Sequence, residues 1–284
     1  MKEIYKFISK RELIRKIKET LDEDIKKGDI TSALIFKDNE YARFSLISKN
    51  RGILCGTEIF TLVFKQIDRN IFIKWFKEDK DFIKKNEKIA EIEGEIKSVL
   101  KGERVALNFL SHLTGIATQT YELKNKGGDL IIKDTRKTIP LLRKIQKYAV
   151  YIGGGENHRM SLSDGIMIKD NHKKLKGLEN ILKIIKENKL EKKVILEVDS
   201  LKEFKLALKY GIYYIMLDNM KPKDIEKAVK LAEKKVFLEA SGNINFENIE
   251  KYKNLGVKAV SCGFLTHSVK SFDFSLEAEE VING

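Results

Sequence analysis

Residues 194–242 read VILEVDSLKEFKLALKYGIYYIMLDNMKPKDIEKAVKLAEKKVFLEASG. One theme occurs three times in this stretch. A short apolar run ends at or just before an ionisable or small polar residue, and a lysine-rich helical segment leads to the next run. From Glu197 to Asp218 and from Asp218 to Glu239 the interval is 21 residues. That is room for one strand and one helix, and crossovers of this length make successive strands parallel.

The theme continues on both sides, in LIIKDTRK (130–137) and GIMIKDN (165–171) upstream and in AVSCGF (259–264) downstream. Measured at Lys133, Lys169, Glu197, Asp218, Glu239 and Cys262, the intervals are 36, 28, 21, 21 and 23 residues. Strands this apolar have to be covered on both faces, which a barrel or a doubly wound sheet provides. The polar residues sit at the C-terminal ends of the runs, where the loops of a barrel converge on one mouth. Six units fall short of eight. The pattern therefore predicts an α/β fold with an incomplete (β/α) barrel of about six strands, with a Rossmann-like open sheet as the competing architecture.

Before residue 100 the pattern differs. RELIRKIKETLDEDI (11–25) is amphipathic, YARFSLISKNRGILCG alternates and then turns at glycine, and NIFIKWFKED and EKIAEIEGEIKSVL read as further short strands. This is an α+β sandwich with a mainly antiparallel sheet. The segment ERVALNFLSHLTGIATQTYELKN then carries Val105, Phe109, Leu113 and Ile116 at helical spacing, with Gly115 as its one breaker, and is expected to bridge two domains. The boundaries drawn from this pattern are 1–106, joined by 268–284, for the sandwich and 107–267 for the barrel.

Composition narrows the function class. The charged start has no apolar run long enough for a signal peptide or a membrane span, so the chain reads as soluble and cytoplasmic. Cys55 and Cys262 are the only cysteines, which excludes a disulfide framework and a paired-cysteine metal site. The net charge of +13 would attract polyanions, anionic membranes or a small anionic substrate. Its lysines are scattered over every segment rather than gathered into a stripe with aromatics, so neither nucleic acid nor membrane is expected as a partner.

The densest chemistry lies at the ends of the early runs. Lys133, Asp134, Thr135, Arg136 and Lys137 leave one strand, and Arg143 follows. GGGENHRM then delivers His158 and Arg159, and Lys169 ends the next run. Alone, each cation is an ordinary solvated loop charge. Converging on one mouth, Arg136, Lys137, Arg159 and Lys169 would suit carboxylates or phosphates, arginine gripping with its fork and lysine as a point charge. His158 could equally be a structural histidine. Glu197 and Asp218, on successive strands, should face one space, where they could orient sugar hydroxyls or hold Mg²⁺ through water; salt bridges to the cations are the alternative. The last units end in Ser241-Gly242-Asn243 and Cys262-Gly263-Phe264, where late barrel loops commonly bind phosphate.

Seven segments, GDITS, ERVALNFLSHLTGIAT, KDTRKT, GGGENHRMSLSDGIMIKDNH, IMLDNM, LEASG and LTHS, resemble in order and spacing those of the quinolinate phosphoribosyltransferase family over nearly the whole chain. The resemblance implies a sandwich followed by an incomplete barrel, and a homodimer in which Arg104 reaches the partner's site. Assembly beyond the dimer is left open. It also implies a pyridine-nucleotide (NAD) biosynthetic reaction: quinolinate and 5-phosphoribosyl-1-pyrophosphate giving nicotinate mononucleotide, pyrophosphate and CO₂. On this basis Thr135, Arg136, Lys137, His158, Arg159 and Lys169 would form the substrate wall holding the two carboxylates. Glu197 and Asp218 would hold ribose and, with water, Mg²⁺. Ser241, Gly242, Asn243, Cys262, Gly263 and Phe264 would cradle the 5-phosphate. Lys137 or Lys169 would assist decarboxylation.

The chain departs from the family pattern twice. Asn243 stands where the family usually has the second glycine of EASGG, and Leu141 follows Pro140 where the family usually has glycine. Two other readings compete. One is a molybdenum-transport-associated relative of the same scaffold, against which KDTRKT, ENHR and IKDNH argue. The other is a non-catalytic basic protein binding RNA or anionic surfaces, which would not explain the alternation of cations and carboxylates at strand ends.

Overall fold

The computed structural model describes residues 2–282. By internal contact the chain divides into two units, one comprising residues 1–119, 144–153 and 269–284 and the other residues 120–143 and 154–268.

In the first unit, helices α1 (Lys10–Ile25) and α2 (Ile30–Ile35) precede strands β1 (Tyr41–Ser48) and β2 (Gly52–Ile53). Helix α3 (Thr57–Ile67), strands β3 (Phe72–Trp75), β4 (Phe82–Ile83) and β5 (Lys88–Glu95), and helix α4 (Ile96–Gly127) follow. Ser9 starts α1 by accepting a hydrogen bond from the Glu12 N–H, and Asp29 of the GDITS segment starts α2 by accepting from Thr31 and Ser32. Each satisfies backbone donors that a helix leaves unpaired at its first turn. The helix spacing of Leu13, Ile17 and Leu21 buries one stripe of α1, while Ala42, Phe44, Leu46 and Ser48 bury alternate positions of β1. The antiparallel sheet has the order β12-β1-β5-β3, in which β12 (Phe274–Ile282) returns from the C-terminal end to pair with β1 from Ser48↔Phe274 to Tyr41↔Ile282.

IKSVL, read as the end of a strand, is instead the first turn of α4. Alternation stops at Glu95, and the next apolar residues, Ile96 and Val99, are three apart, which is helix spacing. The division between units falls inside this 32-residue helix, between Gln119 and Thr120, rather than at residue 106. An unbroken helix carries no breaker to mark such a boundary. Gly115 has a packing reason: a Cβ there would lie 2.3 Å from the Lys270 carbonyl oxygen.

The second unit holds six strands, β6 (Ile131–Lys133), β7 (Ile166–Ile168), β8 (Val194–Val198), β9 (Tyr214–Asp218), β10 (Phe237–Ser241) and β11 (Ala259–Ser261). Helix α5 (Arg143–Ile152) follows β6, and residues 144–153 count with the first unit. The remaining helices are α6 (Asp170–Lys176), α7 (Leu178–Glu187), α8 (Leu201–Lys209), α9 (Pro222–Ala232), α10 (Ile249–Lys253) and α11 (Phe264–His267). All pairings are parallel, in the order β6-β11-β10-β9-β8-β7. Every sequential neighbour from β7 to β11 pairs, and the last strand then pairs with the first. That pairing wraps the sheet round, as a barrel does and a doubly wound sheet does not. The β6–β7 seam stays open apart from a single-residue bridge between Lys133 and Glu156.

The register also corrects the reading of these strands as apolar on both faces. Glu197 pairs with Met216, Met216 with Glu239, and Asp218 with Ser241. Because side chains alternate, one face carries Glu197, Met216, Asp218, Glu239, Ser241 and Ser261. The other carries Leu196, Val198, Ile215, Leu217, Leu238, Ala240 and Val260, all buried. Only that second face has the composition of a helix-covered layer.

Leu141 and Asn243, where the resemblance led to an expectation of glycine, have φ of 65° and 51°. Both are left-handed, where glycine is unstrained and a leucine side chain is not. Replacing the exposed Leu141 by glycine should raise unfolding stability by about 0.5–1 kcal/mol, since relief of roughly 1–2 kcal/mol of strain exceeds the added freedom of the unfolded chain. Gly115→Ala should lower stability by about 1–3 kcal/mol, because backbone must move to admit the methyl. Urea unfolding of both variants reads the opposite signs directly.

Candidate active site

A cavity of about 670 Å³ opens at the C-terminal ends of the barrel strands. It is lined by Thr135, Arg136, Lys137, His158, Arg159, Lys169, Glu197, Asp218, Ser241, Gly242, Asn243, Gly263 and Phe264 among others. These are thirteen of the fifteen candidates named from sequence. Cys262 is not among them: it is fully buried, and Ser261 lines the cavity in its place. Alternation along β11 explains the exchange, since residues 259 and 261 share the inner face and 260 and 262 do not. Arg104 is an exposed residue of α4 and does not line this cavity.

The cationic wall is built by two loops tied together. The buried carboxylate of Asp134, just past β6, accepts hydrogen bonds from the Asn157 side-chain amide at 2.6 Å and from the His158 backbone N–H at 2.9 Å. The guanidinium of Arg143 donates to Thr138 Oγ1 at 3.0 Å, to the Met160 carbonyl at 3.1 Å and to the Arg136 carbonyl at 3.4 Å. Arg143 is thus a clamp between the loops and not part of the wall. Thr266 of the LTHS segment donates to the Lys137 carbonyl at 2.7 Å, which fixes the first loop from the other side.

The wall is short of negative charge. Arg136 Nε is buried with no hydrogen-bond partner among the described residues. Arg159 donates to the Gly165 carbonyl at 2.9 Å, and burial together with the neighbouring Arg136 charge pulls its affinity for a proton below the ordinary arginine value. Two guanidinium groups held close with an unused donor form a site that an anion stabilises. Lys137 makes no ion pair among the described residues, whereas Lys169 is paired with Glu197 at 2.6 Å.

His158 faces a different way. Its Nδ1 accepts the Arg159 backbone N–H at 2.9 Å, so the ring proton of the neutral form sits on Nε2, which lies 3.9 Å from Glu239 Oε2. Across the cavity Asp218 accepts from Ser241 Oγ at 2.8 Å and from Asn219 Nδ2 at 3.0 Å. Beyond β10 the chain turns through Gly242 and Asn243, both at positive φ, with the Asn219 side chain where a Gly242 Cβ would be. Phe246 and Phe264 meet edge to face at 5.5 Å and hold this loop beside the one at Gly263.

Several lining residues were not singled out from sequence. Asn219 and His267 lie inside the quoted motifs IMLDNM and LTHS, Asn245 lies just beyond LEASG, and Ser261, Met167 and Met216 lie on the inner strand face. Strand parity alone would have found the last three. Among the described residues no cluster of three or more His, Cys, Asp or Glu side chains could hold a metal, and no helix is long and apolar enough to cross a membrane.

Known proteins agree with this architecture over its whole length. Residues 29–114 match the model for the quinolinate phosphoribosyl transferase N-terminal domain, and residues 116–277 that for its C-terminal domain. The chain is 40% identical over 273 residues to a probable nicotinate-nucleotide pyrophosphorylase [carboxylating] of Methanocaldococcus jannaschii, covering 92% of this chain and 95% of that one. It is 41% identical over 261 residues to a probable nicotinate-nucleotide pyrophosphorylase [carboxylating] of Bacillus subtilis, covering 90% and 89%. The crystal structure of NadC from Streptococcus pyogenes superposes with a TM-score of 0.91 at 38% identity, over 97% of this chain and 99% of that one. With both domain models matched in order and the site motifs gathered round one cavity, the chain belongs to the quinolinate phosphoribosyltransferase family.

Proposed function

We propose that this chain joins quinolinate to 5-phosphoribosyl-1-pyrophosphate and releases pyrophosphate, CO₂ and nicotinate mononucleotide, a step of NAD biosynthesis. The observation that carries the reading is the guanidinium pair of Arg136 and Arg159, held close with a buried donor unused, in a cavity that Glu197 and Asp218 also line. A dicarboxylate supplies charge to the guanidinium pair, and the two lining carboxylates suit a sugar.

In this reading Arg136, Lys137, Arg159 and Lys169 grip the carboxylates and hold the pyridine nitrogen toward the ribose. His158 borders that site with its Nδ1 already occupied. Glu197 and Asp218 orient the ribose hydroxyls and favour the positive charge that develops on the sugar as pyrophosphate leaves. No protein nucleophile is needed, because the pyridine nitrogen attacks. Backbone N–H groups at Gly242, Asn243, Gly263 and Phe264 receive the 5-phosphate, beside Ser241, whose hydroxyl proton is held by Asp218. Mg²⁺ fits this donor set, since it takes one or two carboxylates together with water and substrate phosphates rather than a complete protein cage. When bound, it neutralises charge on the departing pyrophosphate. Once the nitrogen is alkylated, its positive charge stabilises the electron pair left at the neighbouring carbon when CO₂ departs, and Lys137 and Lys169 steady the remaining groups.

The reading takes the chain to be a cytoplasmic homodimer, with Arg104 of each subunit serving the other's cavity. Two free thiols, Cys55 and Cys262, accord with a reducing compartment, and the exposure of Arg104 leaves it available.

Purified protein with both substrates and Mg²⁺ should form nicotinate mononucleotide from quinolinate and none from nicotinate; the reverse preference would sink the reading. Arg136→Ala should lower kcat/KM for quinolinate by roughly 10- to 150-fold, the equivalent of about 1.5–3 kcal/mol for a charge-assisted hydrogen bond. Mixed Arg104→Ala and Lys137→Ala subunits should regain activity through one intact hybrid site. No recovery despite verified subunit exchange would count against the shared site.

A further inference from the structure

One fully buried acid on the inner strand face has no part in the scheme above. Glu239, on the inner face of β10, is fully buried and lies outside the cavity lining. Its Oε2 accepts the Tyr214 hydroxyl proton and faces His158 Nε2 at 3.9 Å. Its Oε1 has no hydrogen-bond partner among the described residues, and neither has the Oγ of Ser261. Ser261 is also buried, yet it lines the cavity. The two residues lie on adjacent strands and on one face, because Glu239 pairs with Ala259, two residues before Ser261. Strand spacing of about 4.8 Å and two residues of about 3.3 Å rise put such parallel neighbours about 8 Å apart at the backbone, a gap that a glutamate side chain and one water span.

Burial pushes the Glu239 carboxyl up to about 7, against the opposing pull of the Tyr214 hydroxyl and Lys133; Asp134 adds to the rise. The acid is therefore well populated near neutral pH. Its proton belongs on Oε1, since Oε2 is already occupied as an acceptor. After the proton leaves, the carboxylate keeps the Tyr214 O–H as its donor, with the His158 Nε2–H 3.9 Å away.

We propose that Glu239 is the proton store for the decarboxylating half of the reaction and that Ser261 passes its proton into the cavity. The inference rests on the function proposed above. When the carbon–carbon bond to the departing carboxylate breaks, CO₂ leaves and the electron pair stays on the ring carbon. That carbon takes a proton from the Ser261 hydroxyl as the Glu239 proton moves, through one water, onto the Ser261 oxygen. Glu239 is left as carboxylate and regains a proton from solvent before the next turnover. The proton is needed because a carbanion recaptures CO₂ that has not yet left the cavity unless it is trapped. Glu239 touches no reacting atom and acts through Ser261, which makes it a positioning residue.

The test is a rapid-quench measurement on the full-length enzyme of pyrophosphate and CO₂ from the same mixture. Wild type should release them one to one. Glu239→Gln, which keeps the shape and removes the acid, should release pyrophosphate while CO₂ lags by about 100-fold, near the lower end of general-acid contributions, and the nucleotide still bearing both carboxylates should accumulate. Ser261→Ala should show the same lag. One-to-one release by both variants, at whatever rate, overturns the proposal, because a merely structural role slows both products together. Failure of wild type to release pyrophosphate from quinolinate would instead overturn the function on which the proposal rests. The titration has its own check. Between about pH 4.5 and about pH 7 the folded chain holds a proton that the unfolded chain has lost, so wild-type stability should fall relative to Glu239→Gln as pH rises through that window. A constant difference would remove the store.

Discussion

The site depends on one buried carboxylate that does not line the cavity itself. Asp134 joins the end of β6 to the loop carrying His158 and Arg159, at the seam where the barrel lacks its next strand pair. A closed barrel would hold these loops by ladder hydrogen bonds. Here one side chain accepts from a side-chain amide and a backbone N–H, and the Glu156 bridge adds a parallel backbone contact. With this tie made, Arg136 and Arg159 are forced close despite their like charge. The repulsion is sustained by buried hydrogen bonds on the scaffold side, so it remains available to be relieved by an anion on the cavity side.

Strand parity organises the rest. In β8 to β11 the outer face carries Leu196, Ile215, Leu238 and Val260, and the inner face carries carboxylates, hydroxyls and Met216. Apolar burial that stabilises the barrel is therefore concentrated on one face, and the other is free to be a site. The arrangement has a cost, because polar groups on an inner face must find partners. Ser241 with Asp218, and Tyr214 with Glu239, meet part of it within the face, and Glu239 Oε1 and Ser261 Oγ are left without a partner among the described residues.

Much of this was legible because chemistry and periodicity coincide at strand ends. The 21-residue interval fixed parallel crossovers, and the motif residues from Thr135 to Phe264 do surround one cavity. What sequence hid was relational. The string DTRKT does not say that its aspartate faces a backbone N–H 24 residues on, nor that Arg143 spends its donors on carbonyls. Cys262 was grouped with the cradle because motif neighbours were counted without regard to the face they point to. The unit boundary inside α4 left no trace because nothing in the helix breaks there.

Asn243 and Leu141 show how a departure from a family pattern is decided by backbone. Both adopt the left-handed conformation that favours glycine. Their costs differ in kind. Asparagine is among the residues that most readily tolerate that region, and Asn243 stays in the cavity lining. Leucine has no such compensation, and Leu141 holds its side chain 81% exposed. A strained residue is retained only where its surroundings over-determine the conformation. At position 141 the surroundings are the Arg143 clamp two residues on, which anchors Thr138 and the Arg136 carbonyl. The same contacts that place the cationic wall thus hold leucine in a conformation it would not choose alone.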